Sequence, residues 1–287
     1  MSKIDIVRNM QIFIEEHIEH KITLVDLANN FHYSPWHISR LFQEVLNITP
    51  GDYIRKLKLS KSAMKLRDEK VKIIDIASEY GYESVDGYQR AFLKEFGVNP
   101  YEYSRNNKPI NLFIPFIKYD KKEKHHMKET NYVFISVVEK EERKVIIKRG
   151  IKANNYMDYC EEVGCDIWGI LTSIKSPLGE PVCLWLPKKY VKEGTSIYVQ
   201  GVEVPLDYQG EIPEGFDVIT LPKSTYLKFI GEPFLEENYG EAIKTLWEAI
   251  DKFNPQSLGY RWDDKNPRIQ LEPIGKRGYI ELVPVKI

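Results

Sequence analysis

Apolar positions recur at two different periods along this 287-residue chain. Up to about residue 105 they return every three to four residues, the spacing that lines one face of a helix. Beyond about residue 131 they gather in short runs punctuated by Gly and Pro, as strands do. In the first part, Ile4, Val7, Ile12, Phe13 and Ile18 mark an opening helix. "TLVDLANNF" restarts the pattern behind a Thr23 cap, with Asp26 at a position where an acid also suits the helix dipole. The next helix opens at Ser34, with Pro35 at its first position, where a missing N–H does no harm. Ile38, Leu41, Phe42 and Val45 fall at i, i+3, i+4 and i+7 and predict its buried face, leaving Trp36, His37, Ser39, Arg40 and Gln43 on or near the other. An outward aromatic such as Trp36 is either a partner contact or half-buried against a neighbouring helix.

That pattern is written twice. Val25-Asp26-Leu27-Ala28 matches Ile74-Asp75-Ile76-Ala77 at an offset of 49, and one inserted residue then moves the offset to 50. From there Ser34, Arg40, Phe42, Pro50, Tyr53 and Arg55 fall on Ser84, Arg90, Phe92, Pro100, Tyr103 and Arg105. Each copy reads as a short helix, a tight turn and a second helix with Arg and small polar groups outward, the helix-turn-helix unit. The connector from Pro50 to Asp68 is helix-compatible; about 18 residues make a rod of roughly 27 Å. Such a rod suits two recognition helices set about one DNA turn, near 34 Å, apart on one face. Lys56, Lys58, Lys61, Lys65 and Arg67 line it, either meeting phosphate or keeping a half-buried helix solvated.

In the second part, "YVFISVV", "KVIIKR", "PVCLWLP", "SIYVQGVEVP", "FDVITLP", "TYLKFIGEP", "RIQLEP" and "GYIELVPVKI" predict strands. "NYMDYCEEVGCDIWGILTSI" and "LEENYGEAIKTLWEAIDKF" predict two amphipathic helices carrying Trp168 and Trp247, expected in the core. This is a second duplication, of strand, helix and two strands. The expected fold is therefore an all-α N-terminal domain (residues 1–107), a linker (108–130) and an α+β C-terminal domain (131–287).

Charge separates the halves further. The first 128 residues hold 21 Lys+Arg against 17 Asp+Glu and the rest 20 against 25, so a net charge of -1 hides +4 and -5. The near-neutral total argues against a non-specific nucleic-acid coat. Neither a membrane-length apolar run nor a signal peptide's apolar block is present, so a soluble cytoplasmic protein without a membrane partner is expected. Cys160, Cys165 and Cys183 are odd in number and lack zinc-ribbon spacing, which predicts reduced thiols. His125-His126 has no further ligands at useful spacing, so no metal and no cofactor are expected.

Residues 4–105 resemble the AraC-type DNA-binding domain, in its Rob/MarA/SoxS-like branch. Trp36-His37-Ile38-Ser39-Arg40-Leu41-Phe42 is similar to that branch's first recognition helix. Ala77, Gly81, Tyr82, Ser84, Tyr88, Arg90, Phe92, Gly97, Pro100 and Tyr103 are similar to the family's second signature. The resemblance implies a regulator that binds double-stranded promoter DNA and works with RNA polymerase. It implies base-edge contacts from Trp36, Ser39 and Arg40, with Gln43 on the same face, and from Val85, Asp86, Gln89 and Arg90. Two departures stand out: Val85-Asp86-Gly87 replaces the glutamines common in that branch, and Ser104 occupies the closing Arg position. With two reading helices in one chain, a monomer suffices for an asymmetric site.

Residues 129–287 resemble the GyrI-like effector-binding domain, through "TYLKFIGEP", a helix ending "LWEAI" and a final "ELVPVKI". The resemblance implies a concave cleft, lined by aromatics around an acid, that receives a small lipophilic and frequently cationic effector. Alternation puts Ile280 and Leu282 on one face and Tyr279, Glu281 and Val283 on the other; with helices over the Ile280 face, Glu281 would point into the cleft. Trp185 and Tyr198 are the expected aromatic partners, with Tyr208 and Trp262 as further candidates and Glu272 as the alternative acid. No hydrolase triad or phosphate-cradling loop is present, so the chain reads as a regulator and not an enzyme. The alternatives are a GyrI-like hydrolase of a toxic electrophile fused to a DNA-binding domain, and a regulator controlled by a protein partner.

Overall fold

The computed structural model describes residues 2–115 and 132–287, so the His125-His126 pair lies outside the described residues. The chain divides into two compact units, Met1–Lys124 and His125–Ile287.

The first unit is helical: α1 (Lys3–Glu16), α2 (Leu24–Phe31), α3 (Pro35–Leu46), α4 (Pro50–Asp68), α5 (Ile73–Glu79), α6 (Val85–Phe96) and α7 (Pro100–Asn106). The caps are those the sequence predicts. Thr23 and Asp26 form a reciprocal capping box, and Ser34 and Ser84 accept from the backbone N–H of His37 and Gly87. The duplication extends to the backbone. His32 and Gly81 take left-handed conformations (φ 58° and 76°) in the two tight turns, and Asn47 and Gly97 do so where the two recognition helices end. Equivalent side chains share a fate: Leu27 and Ile76 are fully buried, as are Phe42 and Phe92, while Val25 and Ile74 are 55% and 59% exposed.

α4 is buried around most of its circumference because it belongs to two cores. Tyr53, Ile54 and Leu57 pack with Val7, Leu27, Ile38 and Phe42, whereas Leu59, Ala63 and Leu66 pack with Ile76, Tyr88, Phe92 and Tyr103. Its 19 residues span roughly 28 Å at 1.5 Å each. Ile110, Leu112 and Phe113, within the stretch expected as linker, pack on these cores, and the Phe113 N–H donates to Ser60. The buried face of α1 runs through Ile6, Val7, Met10, Gln11 and Ile14, while Ile12 is exposed. The basic side chains of α4 are held by intramolecular acids or carbonyls. Lys56 pairs with Glu95, Lys61 with Glu15, Lys65 with Glu79 and Arg67 with Asp68, and Lys58 is buried.

The second unit is one antiparallel sheet flanked by helices. Its elements are β1 (Val133–Lys140), β2 (Arg143–Arg149), α8 (Tyr156–Val163), α9 (Ile167–Ser173), β3 (Val182–Trp185), β4 (Tyr198–Val204), β5 (Asp217–Leu221), β6 (Ser224–Gly231), α10 (Tyr239–Lys252), β7 (Arg261–Trp262), β8 (Arg268–Leu271) and β9 (Ile280–Lys286). The strand order is β1-β6-β9-β8-β3-β4-β2-β5, with β7 also on β9. β2-α8-α9-β3-β4 and β6-α10-β8-β9 are the two copies, joined where β3 pairs with β8. Each copy's preceding strand, β5 or β1, extends the other copy's edge.

The structure differs from expectation at two places here. One long helix was expected across residues 155–174, but Gly164 at φ 96° breaks it into α8 and α9, a conformation that costs any residue with a Cβ. The helices cover the Tyr279, Glu281 and Val283 face of β9, where Tyr279 packs with Phe229, Leu246 and Ile250. Ile280 and Leu282 join Val145, Val182, Leu184, Val199 and Ile269 in a core on the opposite face. Both faces of β9 are apolar, so alternation separates them without saying which one takes the helices.

Candidate nucleic-acid interface and effector cleft

Trp36, Ser39, Arg40 and Gln43 stand at i, i+3, i+4 and i+7 and form one outward stripe of α3. The Trp36 side is open: the residue is 68% exposed, and the Arg40 guanidinium sits 5.4 Å from its ring centre. Glu44 completes the face and was not anticipated. It accepts from Lys3 at 2.7 Å and from Arg40 Nε at 2.8 Å, and these two bonds, that from Lys3 first, hold its carboxyl down to about 2. Arg40 is thereby oriented before any partner arrives.

The second stripe, on α6, comprises Asp86, Gln89, Arg90 and Leu93 at the equivalent positions. Asp86 and Arg90 are exposed, and Leu93 presents an apolar side chain where α3 has Gln43. Val85 is half-buried against the second core. The position one turn beyond Arg90 is Lys94, so this arginine lacks the acid that orients Arg40. The offset of 50 was the signal that could have found both Glu44 and Leu93. Ser104 donates locally to the Tyr101 carbonyl.

In the second unit, register places the site residues in two rows on the helix-covered face. Gln200, Cys183, Gln270 and Glu281 lie side by side across β4, β3, β8 and β9, and Tyr198, Trp185 and Arg268 form the next row. Glu281 is fully buried. One carboxylate oxygen accepts from Trp247 Nε1 at 2.6 Å and from the Tyr279 hydroxyl at 2.5 Å, and the other is paired with Arg268. The Arg268 guanidinium lies over two indoles that meet edge-on, 5.4 Å from the Trp185 ring centre and 5.6 Å from that of Trp247. Trp185 meets Tyr198 edge-on at 5.0 Å. Burial, then the charge of Glu281, raises the Tyr279 hydroxyl's pKa, and burial pushes the Cys183 thiol up to about 12, so both stay protonated.

Four expected residues, Glu281, Tyr279, Trp185 and Tyr198, are thus brought together, and two are not. Tyr208 lines a separate shallow depression with Lys144, Gly210 and Val218, while Trp262 packs near Phe229 and Phe253. Both sit on the same unit, but their strands and loops lead away from the β3–β8 junction. Glu272 is held apart as well, hydrogen-bonded by Trp168, its pKa raised by burial and by Glu180. Trp247 and Arg268 were missed as site residues. Trp247 read as core, but its indole lies half-exposed over the acid. The duplication shows through the chemistry: Tyr198 and Gln200 of β4 stand where β9 has Tyr279 and Glu281, and each copy's helical tryptophan meets a carboxylate.

Known proteins match both units. A family model described as a helix-turn-helix domain matches residues 27–106, and one described as an integron-associated effector binding protein matches residues 136–272. The regulatory protein SoxS of Escherichia coli K12 is 35% identical over 103 residues, 36% of this chain and 96% of that protein. The chain belongs to the AraC-type regulators. The transcriptional regulator Rob of Salmonella typhimurium is 37% identical over 107 residues, and the right origin-binding protein of E. coli K12 is 38% identical over 106; each match covers 37% of both chains. The chain thus matches just over a third of the length of these two relatives. As an AraC-type regulator it binds DNA through the first unit, and its second unit is a GyrI-like domain. None of the described helices is long and apolar enough to cross a membrane.

Proposed function

We propose that this chain is a ligand-responsive transcription regulator whose GyrI-like unit binds a small lipophilic, cationic effector. Trp36, Ser39, Arg40 and Gln43 read one major-groove segment of promoter DNA, and Asp86, Gln89 and Arg90 the next. The chain acts as a monomer and recruits RNA polymerase. The observation that carries the effector reading is Glu281: a fully buried carboxylate, bonded by Trp247 and Tyr279, with Trp185 against Trp247 and Tyr198 against Trp185, beside the junction of the two repeats. A desolvated acid beside indole faces attracts an organic cation through charge and through the ring quadrupoles. The hydrolase alternative needs a carboxylate oxygen poised on water, whereas Glu281 here is bonded by Trp247, Tyr279 and Arg268 side chains.

Tetraphenylphosphonium and tetraphenylborate, equal in shape and opposite in charge, test the reading by titration of the full chain's tryptophan fluorescence. Saturable binding of the cation that weakens at least tenfold in Glu281→Gln is expected. Equal binding of the anion, or cation binding indifferent to the substitution, would contradict the reading. Loss of ligand response altogether, with a co-purifying protein, would favour control by a protein partner.

A further inference from the structure

The cation expected beside Glu281 is already there, supplied by the chain itself. Arg268 opens β8 directly opposite Trp185, which brings its guanidinium over the Trp185 and Trp247 rings, themselves edge-on at 6.3 Å, and against the Glu281 carboxylate. We propose that Arg268 is a resident cation that keeps the effector box shut, and that the effector is a flat, delocalised cation of the amidinium or guanidinium class that takes its place. This rests on the effector-binding reading above and narrows it.

Three observations carry the proposal. First, the occupant is a template. A planar cation held over two indoles that meet edge-on, with an edge toward a carboxylate, is a setting in which guanidinium is recognised, and an amidinium shares its plane, charge and paired N–H groups. Second, the resident fit is imperfect. Nη2 of Arg268 is in ion-pair contact with Glu281 yet is buried without a hydrogen bond of its own, Nε–H being the group that donates to the carboxylate. A free amidinium can align both N–H groups. Third, the two partners differ in access: the Arg268 side chain is 29% exposed and that of Glu281 not at all. The arginine therefore forms the box's wall toward solvent, and its side chain can swing outward without disturbing the pairing of β8.

Burial dictates selectivity. Removing Arg268 alone would strand a buried carboxylate, so the box exchanges one cation for another and does not open to a neutral molecule. A box shut about 90–99% of the time weakens apparent affinity about ten- to a hundredfold, and removing the occupant restores it.

The test titrates the full chain and Arg268→Gln with 2-naphthamidine and its neutral counterpart 2-naphthamide. Alongside it, the Nε–H resonance of Arg268 is followed by NMR in the unmodified chain and assigned with Arg268→Lys. The expected result is amidine binding at least tenfold tighter in Arg268→Gln, with no such gain for the amide. In the unmodified chain, saturating amidine should shift the Arg268 Nε–H and speed its exchange with water. Should Arg268→Gln fail to fold, the resonance alone decides. Saturable amidine binding with no gain in Arg268→Gln, or with an unmoved resonance, would overturn displacement while leaving the effector reading in place. Binding of tetraphenylphosphonium but not the amidine would overturn the ligand class. Binding of neither cation to either protein would remove the effector reading as well.

Discussion

Lys58 Nζ lies 3.0 Å from the carbonyl oxygen of Tyr80, the residue that caps α5, and 2.7 Å from that of His20 ahead of α2. One ammonium on the shared helix thus ties down the entrance to the first helix-turn-helix and the turn of the second. Burial lowers its pKa.

Lys58→Met should therefore act on stability and not on DNA contact. Losing two charge-assisted bonds costs about 2–3 kcal/mol, read as a lower urea midpoint. The salt dependence of DNA affinity should keep its slope, since no phosphate contact is lost. A slope reduced by about one unit with stability unchanged would place Lys58 on the DNA instead.

The two turns should respond oppositely to substitution. Gly81→Ala puts a Cβ on a residue at φ 76° and 3.1 Å from Lys58 Nζ, and should cost about 1–2 kcal/mol. His32→Gly relieves the same conformation in the first turn and should be neutral or stabilising by up to about 1 kcal/mol. Chemical denaturation of both variants checks the pair.

Asp86 opens the second stripe as an exposed negative charge, on the face proposed to meet DNA. Asp86→Asn should tighten binding to arbitrary duplexes several-fold and reduce discrimination at that half of the site. Arg40→Ala and Arg90→Ala should each lose about 1–3 kcal/mol of specific binding. Fluorescence anisotropy on matched and scrambled duplexes measures all three.

The DNA-binding unit was legible in the sequence because its physics is local. Caps at Ser34 and Ser84, the Pro35 start, and aligned apolar positions such as Leu27 with Ile76 are short-range facts that a repeat doubles. The candidate effector site was half legible. Glu281, Tyr279, Trp185 and Tyr198 alternate visibly along strands, but Arg268 and Trp247 join them only through the β3–β8 register and the docking of α10. Both are long-range facts. The lysines of α4 show the converse, since their acidic partners, such as Glu15 and Glu79, lie on other helices and leave no local mark.

Glu95 of α6 takes bonds from Arg55 at 2.7 Å and Lys56 at 3.1 Å on α4. Burial pushes its pKa up, but the two cations outweigh burial, and the carboxyl ends below its ordinary value of 4.5. A folded pKa lowered in this way gives stability that is complete above the unfolded value and lost as pH falls through the folded one. Wild type should therefore exceed Glu95→Gln in stability at pH 7, and the gap should close as pH falls below about 4. Urea midpoints at pH 7, 5 and 3.5 test this, and a gap constant across that range would contradict it.

The most direct measurement of the account is selection of binding sites from random duplexes with the full chain, with stoichiometry determined on the selected site. Two different recognition stripes on one α4 rod predict an asymmetric site spanning about two helical turns, bound by a single chain. A palindromic site holding two copies would contradict it.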